Sequence, residues 1–237
     1  MKVMGAASFN PMEQAVTGLK PRTLSGTSAW QSHIPFAFAA VELLKPQLFV
    51  ELGTHKGDSY FAFCQAVRHL GLPASAFAVD NWKGDEQAGL YDESIWEEFS
   101  CLNENLYQEF SKLLRMTFDE ASGLFEDRSV DLLHIDGYHS YEAVRHDFER
   151  WLPKMSRSGV VLLHDTRVFA KGFGVWRLWL EKSAQYPSFE FQHGSGLGIL
   201  AVGEKVPGPL KELFDAGHEK AVVFADHFEK TGAAIVC

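Results

Sequence analysis

The 237-residue sequence is poor in several features that whole classes of protein depend on. Its three cysteines, Cys64, Cys101 and Cys237, lie far apart without a C-x-x-C pair, which suits neither a disulfide framework nor a zinc site. No apolar run approaches the roughly 18 to 20 residues of a membrane span, and the start lacks a charged segment leading into an apolar stretch and a cleavage site. The expectation is a cytoplasmic protein with no membrane partner. Basic residues are outnumbered, 22 Lys and Arg against 31 Asp and Glu, and form no run. The net charge of -9 would repel a phosphate backbone, which argues against nucleic acid as a partner. Also missing are the Gly-x-Gly-x-x-Gly turn of dinucleotide enzymes and a Tyr-x-x-x-Lys pair, since Tyr141 is followed four residues later by Arg145. Both absences disfavour a nicotinamide-dependent oxidoreductase.

What is present is an ordinary globular composition, 46% hydrophobic, in a chain long enough for one large domain with extensions. Residues 1–28 mix Gly, Ser, Thr and Pro without periodicity and read as an arm that stays loose or folds over the domain. From Ala29, the residues Ile34, Phe38, Val41 and Leu44 recur at helical spacing until Pro46. Short apolar runs then end in polar residues: Leu48–Leu52 at Gly53, Ala76–Val79 at Asp80, Val130–Ile135 at Asp136, and Val160–Leu163 at His164 and Asp165. Helical patterns separate them, one over Ser59–Leu70 and one with Tyr141, Val144, Phe148 and Trp151 on a face behind an N-cap at Ser140. Such alternation predicts an α/β fold with a mostly parallel, doubly wound sheet whose ligands bind outside the carboxyl ends of the strands. Phe189–Phe191 and Ile199–Val202 are separated by too few residues for a crossover, so they should pair antiparallel near one edge. Residues 29–206 form the predicted domain; 207–237 carry Leu210, Leu213, Phe214, Ala221, Phe224 and Phe228, a helical extension that docks on the domain or on a second subunit as a homo-oligomer contact.

Chemistry gathers at the strand ends. Glu51-Leu-Gly53-Thr54-His55-Lys56-Gly57-Asp58-Ser59 is a glycine turn at a strand-to-helix junction. A carboxylate just before it opposes a pyrophosphate but suits a cationic ligand. Asp80 stands where such folds hydrogen-bond ribose hydroxyls, and Trp82 either covers a base or packs in the core. Thr117 and Glu120 have the form of a capping box, leaving Phe118 and Asp119 as candidates for an adenine pocket. His139 and His164 lie at the ends of central strands, where an imidazole could take a proton; His33, His55 and His193 have only predicted turn positions to recommend them.

The stretch His134-Ile-Asp136-Gly137-Tyr138-His139-Ser140-Tyr141-Glu142-Ala-Val144, with Ser158-Gly159-Val-Val-Leu-Leu-His164-Asp165-Thr166, resembles class I S-adenosylmethionine (SAM)-dependent methyltransferases. The similarity is to relatives of the macrocin and cephamycin-pathway O-methyltransferases and to methyltransferase domains found beside glycosyltransferases. It runs from about Ala29 to Gly203 and takes in Asp80-Asn-Trp82-Lys-Gly84-Asp85-Glu86 and Phe173-Gly174-Val175-Trp176-Arg177. It implies a Rossmann-like fold, SAM as cofactor and a sugar, glycan or related small-molecule hydroxyl as acceptor. It assigns Glu51, Gly53 and Gly57 to the cofactor turn, to which Thr54 and Ser59 belong, and it places Asp80 at the ribose and Asp136 beside the methyl donor. His139, His164 and Asp165 are then the catalytic candidates. Metal-dependent relatives hold Mg2+ on the counterparts of Asp136 and Asp165, with a third ligand that falls here on Thr166, unless the pair shifts to His164 and Asp165. A metal-dependent hydrolase and a non-catalytic cofactor-binding module remain as alternative readings.

Overall fold

The computed structural model describes residues 15–26, 29–170 and 172–236. Most of the expected arm, residues 1–14, 27 and 28, lies outside them, as does Cys237. Seven strands make one sheet: β1 (Leu48–Leu52), β2 (Ser75–Asp80), β5 (Ser111–Arg115), β6 (Val130–Ile135), β7 (Met155–His164), β8 (Ser188–Phe191) and β9 (Leu197–Ala201). The order is β5-β2-β1-β6-β7-β9-β8, with β9 antiparallel to both neighbours and the other pairings parallel. The doubly wound sheet with an antiparallel member near one edge is therefore as the sequence predicts. A two-stranded hairpin, β3 (Gly84–Asp85) with β4 (Gly89–Leu90), stands apart from the sheet.

Strand periodicity divides the core between the two faces, because successive side chains point to opposite sides. Phe49, Ala76, Ala78, Leu132, Val160 and Leu162 face one layer, with α1 (Ile34–Leu44) and α2 (Asp58–Leu70). Val50, Leu52, Val79, Leu133, Val161 and Leu163 face the other, with α5 (Tyr141–Trp151) and α6 (Val175–Ser183). The caps are those expected: Ser140 Oγ accepts from Ala143 N at 3.2 Å to start α5, and Thr117 with Glu120 forms a capping box on α4 (Phe118–Ser122). The α3 helix (Glu93–Leu106) and the edge strand β5 were not anticipated, although Ile95, Phe99, Leu102 and Leu106 repeat at helical spacing.

Both ends of the described chain fold back onto the first layer. Val16 is buried, and the Ser25 amide donates to Asp58 Oδ1 at 2.7 Å. From α7 (Gly208–Phe214) and α8 (His218–Val236), the residues Leu210, Leu213, Phe224 and Phe228 enter the same apolar cluster as α1. No helix among the described residues is long and apolar enough to cross a membrane.

Candidate active site

The carboxyl ends of β1, β2 and β6 open into a cleft of about 300 Å3. Gly53, Asp80, Phe118, Asp119 and Asp136 line it, as does His139; so do His55, Asn81, Tyr91, His146 and Asp147, which the sequence did not single out for this role. The β1–α2 turn is fixed from below. Asp80 Oδ2 accepts the amides of Thr54 (2.9 Å) and His55 (3.1 Å), and its Oδ1 accepts that of Trp82 (2.7 Å). Gly53 has φ +84°, and a Cβ there would lie 2.1 Å from the Asp136 carbonyl oxygen. This glycine is demanded first by the approach of β1 to the chain leaving β6, and only then by any ligand.

The other expected cofactor residues stand behind the wall. Trp82 is 1% exposed, packed against Trp96 and Phe99 with ring centroids 4.6 and 5.2 Å away, and its Nε1 donates to the His55 carbonyl; it takes the core role of its two readings. A Cβ on Gly57 would strike Phe99 and Phe61, so its close neighbours are aromatic rings. Thr54 is buried and reaches the site through its amide, while Ser59 bonds to Glu51. Glu51 itself is fully buried in β1, beside His134 in the register of β6. His134 Nε2 accepts Trp30 Nε1–H at 3.0 Å, so its proton is on Nδ1 and is donated to Glu51 Oε2 at 2.8 Å. Burial pushes the Glu51 carboxyl up against this pairing. The carboxylate expected to suit a cationic ligand is turned into the sheet's first layer, where His134 holds it.

Asp136, His139 and Asp165 do come together, with one potential ligand atom from each within 4.8 Å of the others. His139 Nε2 lies 2.9 Å from Asp165 Oδ2 and 3.6 Å from Asp136 Oδ1. Its other nitrogen, Nδ1, donates to Gln87 Oε1 at 3.0 Å, and its ring stacks on Phe173. Gln87 comes from the β3–β4 hairpin and also accepts the His139 amide. Nothing in the sequence marks Gln87 out, since its role depends on where the hairpin folds.

His164 is 5% exposed and sits behind Asp136. Its Nε2 donates to the Gly194 carbonyl at 3.0 Å, and its Nδ1 faces Asp136 Oδ1 at 3.3 Å. The same carbonyl accepts from His33, which burial and the neighbouring His164 and His193 rings keep well below the usual imidazole range. His164 is thus a support for Asp136 and does not face the cleft as a base would. Burial would lower the pKa of both central histidines, but Asp136 and Asp165 override it and push His139 up to about 10 and His164 up to about 9. The two imidazoles in turn hold the buried Asp136 carboxyl well below the ordinary range. The start of α5 disfavours an imidazolium at His139, yet two carboxylates beside it outweigh a helix end.

Known proteins share this fold. Residues 50–166 match a family model described as a methyltransferase domain. The uncharacterized protein y4gI of Sinorhizobium fredii is 49% identical over 194 residues, 82% of this chain; the chain spans only 21% of that relative's length. Among solved structures, the O-methyltransferase TomG from Streptomyces achromogenes, involved in tomaymycin synthesis and in complex with SAM, aligns with a TM-score of 0.56 at 14% identity, covering 78% of this chain and 92% of that one. Cofactor-bound Rv0187 from MTB gives 0.56 at 13% identity over 85% and 93%, and the SAH-bound Podospora anserina methyltransferase PaMTH1 gives 0.53 at 11% over 71% and 76%. At such identities the structures speak to the fold. Together with the family match over the strands that build the cleft, they place this chain in the class I methyltransferase family.

Proposed function

We propose that the chain transfers the methyl group of SAM to a hydroxyl oxygen of a sugar, glycan or related small molecule. One observation carries the reading: Asp136 is at once a wall of the cleft and a corner of the triangle with His139 and Asp165. A ligand reaching from Asp80 past Gly53 ends where an acceptor would be held. In this reading the Asp80 carboxylate receives the ribose hydroxyls while its backbone bonds keep the turn rigid. Methyl transfer needs the acceptor oxygen in line with the sulfonium methyl, so positioning and exclusion of water are the main contributions of the protein. Asp165 offers an oxygen to accept the hydroxyl proton, while the protonated His139, held by Asp136 and Asp165, stabilises the acceptor oxygen as negative charge develops.

Two carboxylates and an imidazole are also a donor set for a divalent cation, of a mixed kind that suits Mn2+ or Zn2+ better than the all-oxygen preference of Mg2+. Asp136, His139 and Asp165 would hold such an ion, and when bound it would lower the pKa of a coordinated hydroxyl. Incubation with SAM and a panel of hydroxylated acceptors, read by mass spectrometry, tests the function. The expected product gains one methylene mass on oxygen; methylation on nitrogen or carbon, or hydrolysis without SAM, would contradict it. Excess chelator separates the two modes, since turnover that survives it dispenses with the cation.

A further inference from the structure

We propose that Asp147, acting as a neutral carboxylic acid, reads the N1 and N6 edge of the cofactor's adenine. The inference rests on the SAM reading above and deepens it. Asp147 lies on α5, between Val144 and Phe148, which pack into the core. Its own side chain lines the cleft, yet it is only 8% exposed. Among the described residues its carboxyl has no hydrogen-bond partner. A carboxyl that no side chain or backbone group engages, on the wall of a binding cleft, has a natural mate in the ligand.

The surroundings indicate which part of the ligand this is. A Cβ on Gly137 would lie 2.5 Å from the Phe118 ring and 3.6 Å from Asp147 Oδ2, so an aromatic face, a bare stretch of backbone and a carboxyl converge at this end of the cleft. A flat apolar base with one polar edge is the complement of that surface. Asp119, expected to serve the adenine, is already bonded to His146 Nε2 at 2.8 Å and is mostly exposed. Adenine presents an acceptor at N1 beside a donor at N6, and a protonated carboxyl presents a donor beside an acceptor. A carboxylate would set two lone pairs against N1 and lose that match.

Burial pushes the Asp147 carboxyl up to about 7, with His146 opposing and Asp119 assisting. Of the other charged groups nearby, Arg150 lies against Asp119, while His55, Asp80 and Asp136 line the cleft. From α6, Glu181 bonds to Tyr141 and Arg177 lies over its ring. His55, which burial lowers, and His146, which Asp119 raises, are titratable neighbours of the same cleft, so a matched variant is needed to isolate Asp147.

Calorimetric titration of S-adenosylhomocysteine (SAH) and its 1-deaza analogue into wild-type protein, Asp147→Asn and Asp147→Leu between pH 6 and 8.5 tests the proposal. Wild-type affinity for SAH should fall by about tenfold across that range, as the acid loses its donor. Asp147→Asn keeps a donor beside an acceptor and should bind within about threefold of wild type at pH 6, with a flat profile. Asp147→Leu should bind about tenfold more weakly at pH 6 and no longer distinguish SAH from the analogue, which wild type rejects by about tenfold. Equal pH profiles in wild type and Asp147→Asn, or discrimination against the analogue surviving in Asp147→Leu, would overturn the role of Asp147 while leaving the cofactor assignment standing. Failure of wild type to bind SAH at any pH would overturn both.

Discussion

Three residues at strand ends, Asp136, His139 and Asp165, were legible because a polar residue that stops an apolar run in an α/β chain lies at the ligand edge of the sheet. Their partners were not. Trp30 and Glu51 meet through His134, which is distant from both in sequence, and a buried carboxylate held by a histidine looks in sequence like any acid before a glycine turn. Asp147 is one of many charged residues on α5, and only the packing of Phe118 over Gly137 sets it apart. Its burial has a consequence without ligand. The folded pKa of about 7 exceeds the ordinary 3.8, so the neutral acid costs nothing extra below about 3.8, and stability is lost progressively as pH rises through about 7. Thermal melts should show Asp147→Asn more stable than wild type at pH 8, by up to about 4 kcal/mol at roughly 1.4 kcal/mol per pH unit, with the gap closing toward pH 4. A constant gap would mean that the carboxyl is solvated. At the triangle, His139→Gln and Asp165→Asn should each lower turnover by about a hundredfold or more with SAH affinity within about threefold, as measured by steady-state kinetics and calorimetry.

At the scale of elements, the central strands and their crossover helices were readable because burial on both faces makes each strand a continuous apolar run. The edge strand β5, Ser-Lys-Leu-Leu-Arg, is largely half-exposed and lacks that signature. Glycines carry the tightest constraints between elements. Gly53→Ala should destabilise the protein by about 2 kcal/mol or more in urea unfolding and abolish cofactor binding, since a Cβ meets backbone of the β6 exit and the positive φ is itself strained. Gly232 in α8 offers a sharper test. Alanine there is favoured by helix propensity by about 1 kcal/mol, but its Cβ would lie 2.0 Å from the Ser32 carbonyl oxygen in the turn Ala29–His33. Gly232→Ala should therefore lower the melting temperature and loosen the turn that carries Trp30. A rise in melting temperature would show that α8 is not pressed against it.

For the molecule as a whole, the first sheet layer is closed by chain from both ends, α1 and the segment around Val16 from one side and α7 and α8 from the other. The sequence pattern showed that the last helices were amphipathic but could not say which surface they cover; the burial of Phe224 and Phe228 beside Phe36 and Phe191 supplies it. The cleft opens away from this packing, at the strand ends, which leaves it free to receive a ligand while the ends of the chain stay anchored. In the proposed binding mode SAM lies in this cleft along the line from Asp80 to Asp136. Titration calorimetry with SAH, on wild type and Asp80→Asn, tests it most directly. Saturable one-to-one binding to wild type, weakened about tenfold or more in the variant, is the expected result; no heat with SAH, alongside saturable binding of a nicotinamide dinucleotide, would overturn this placement.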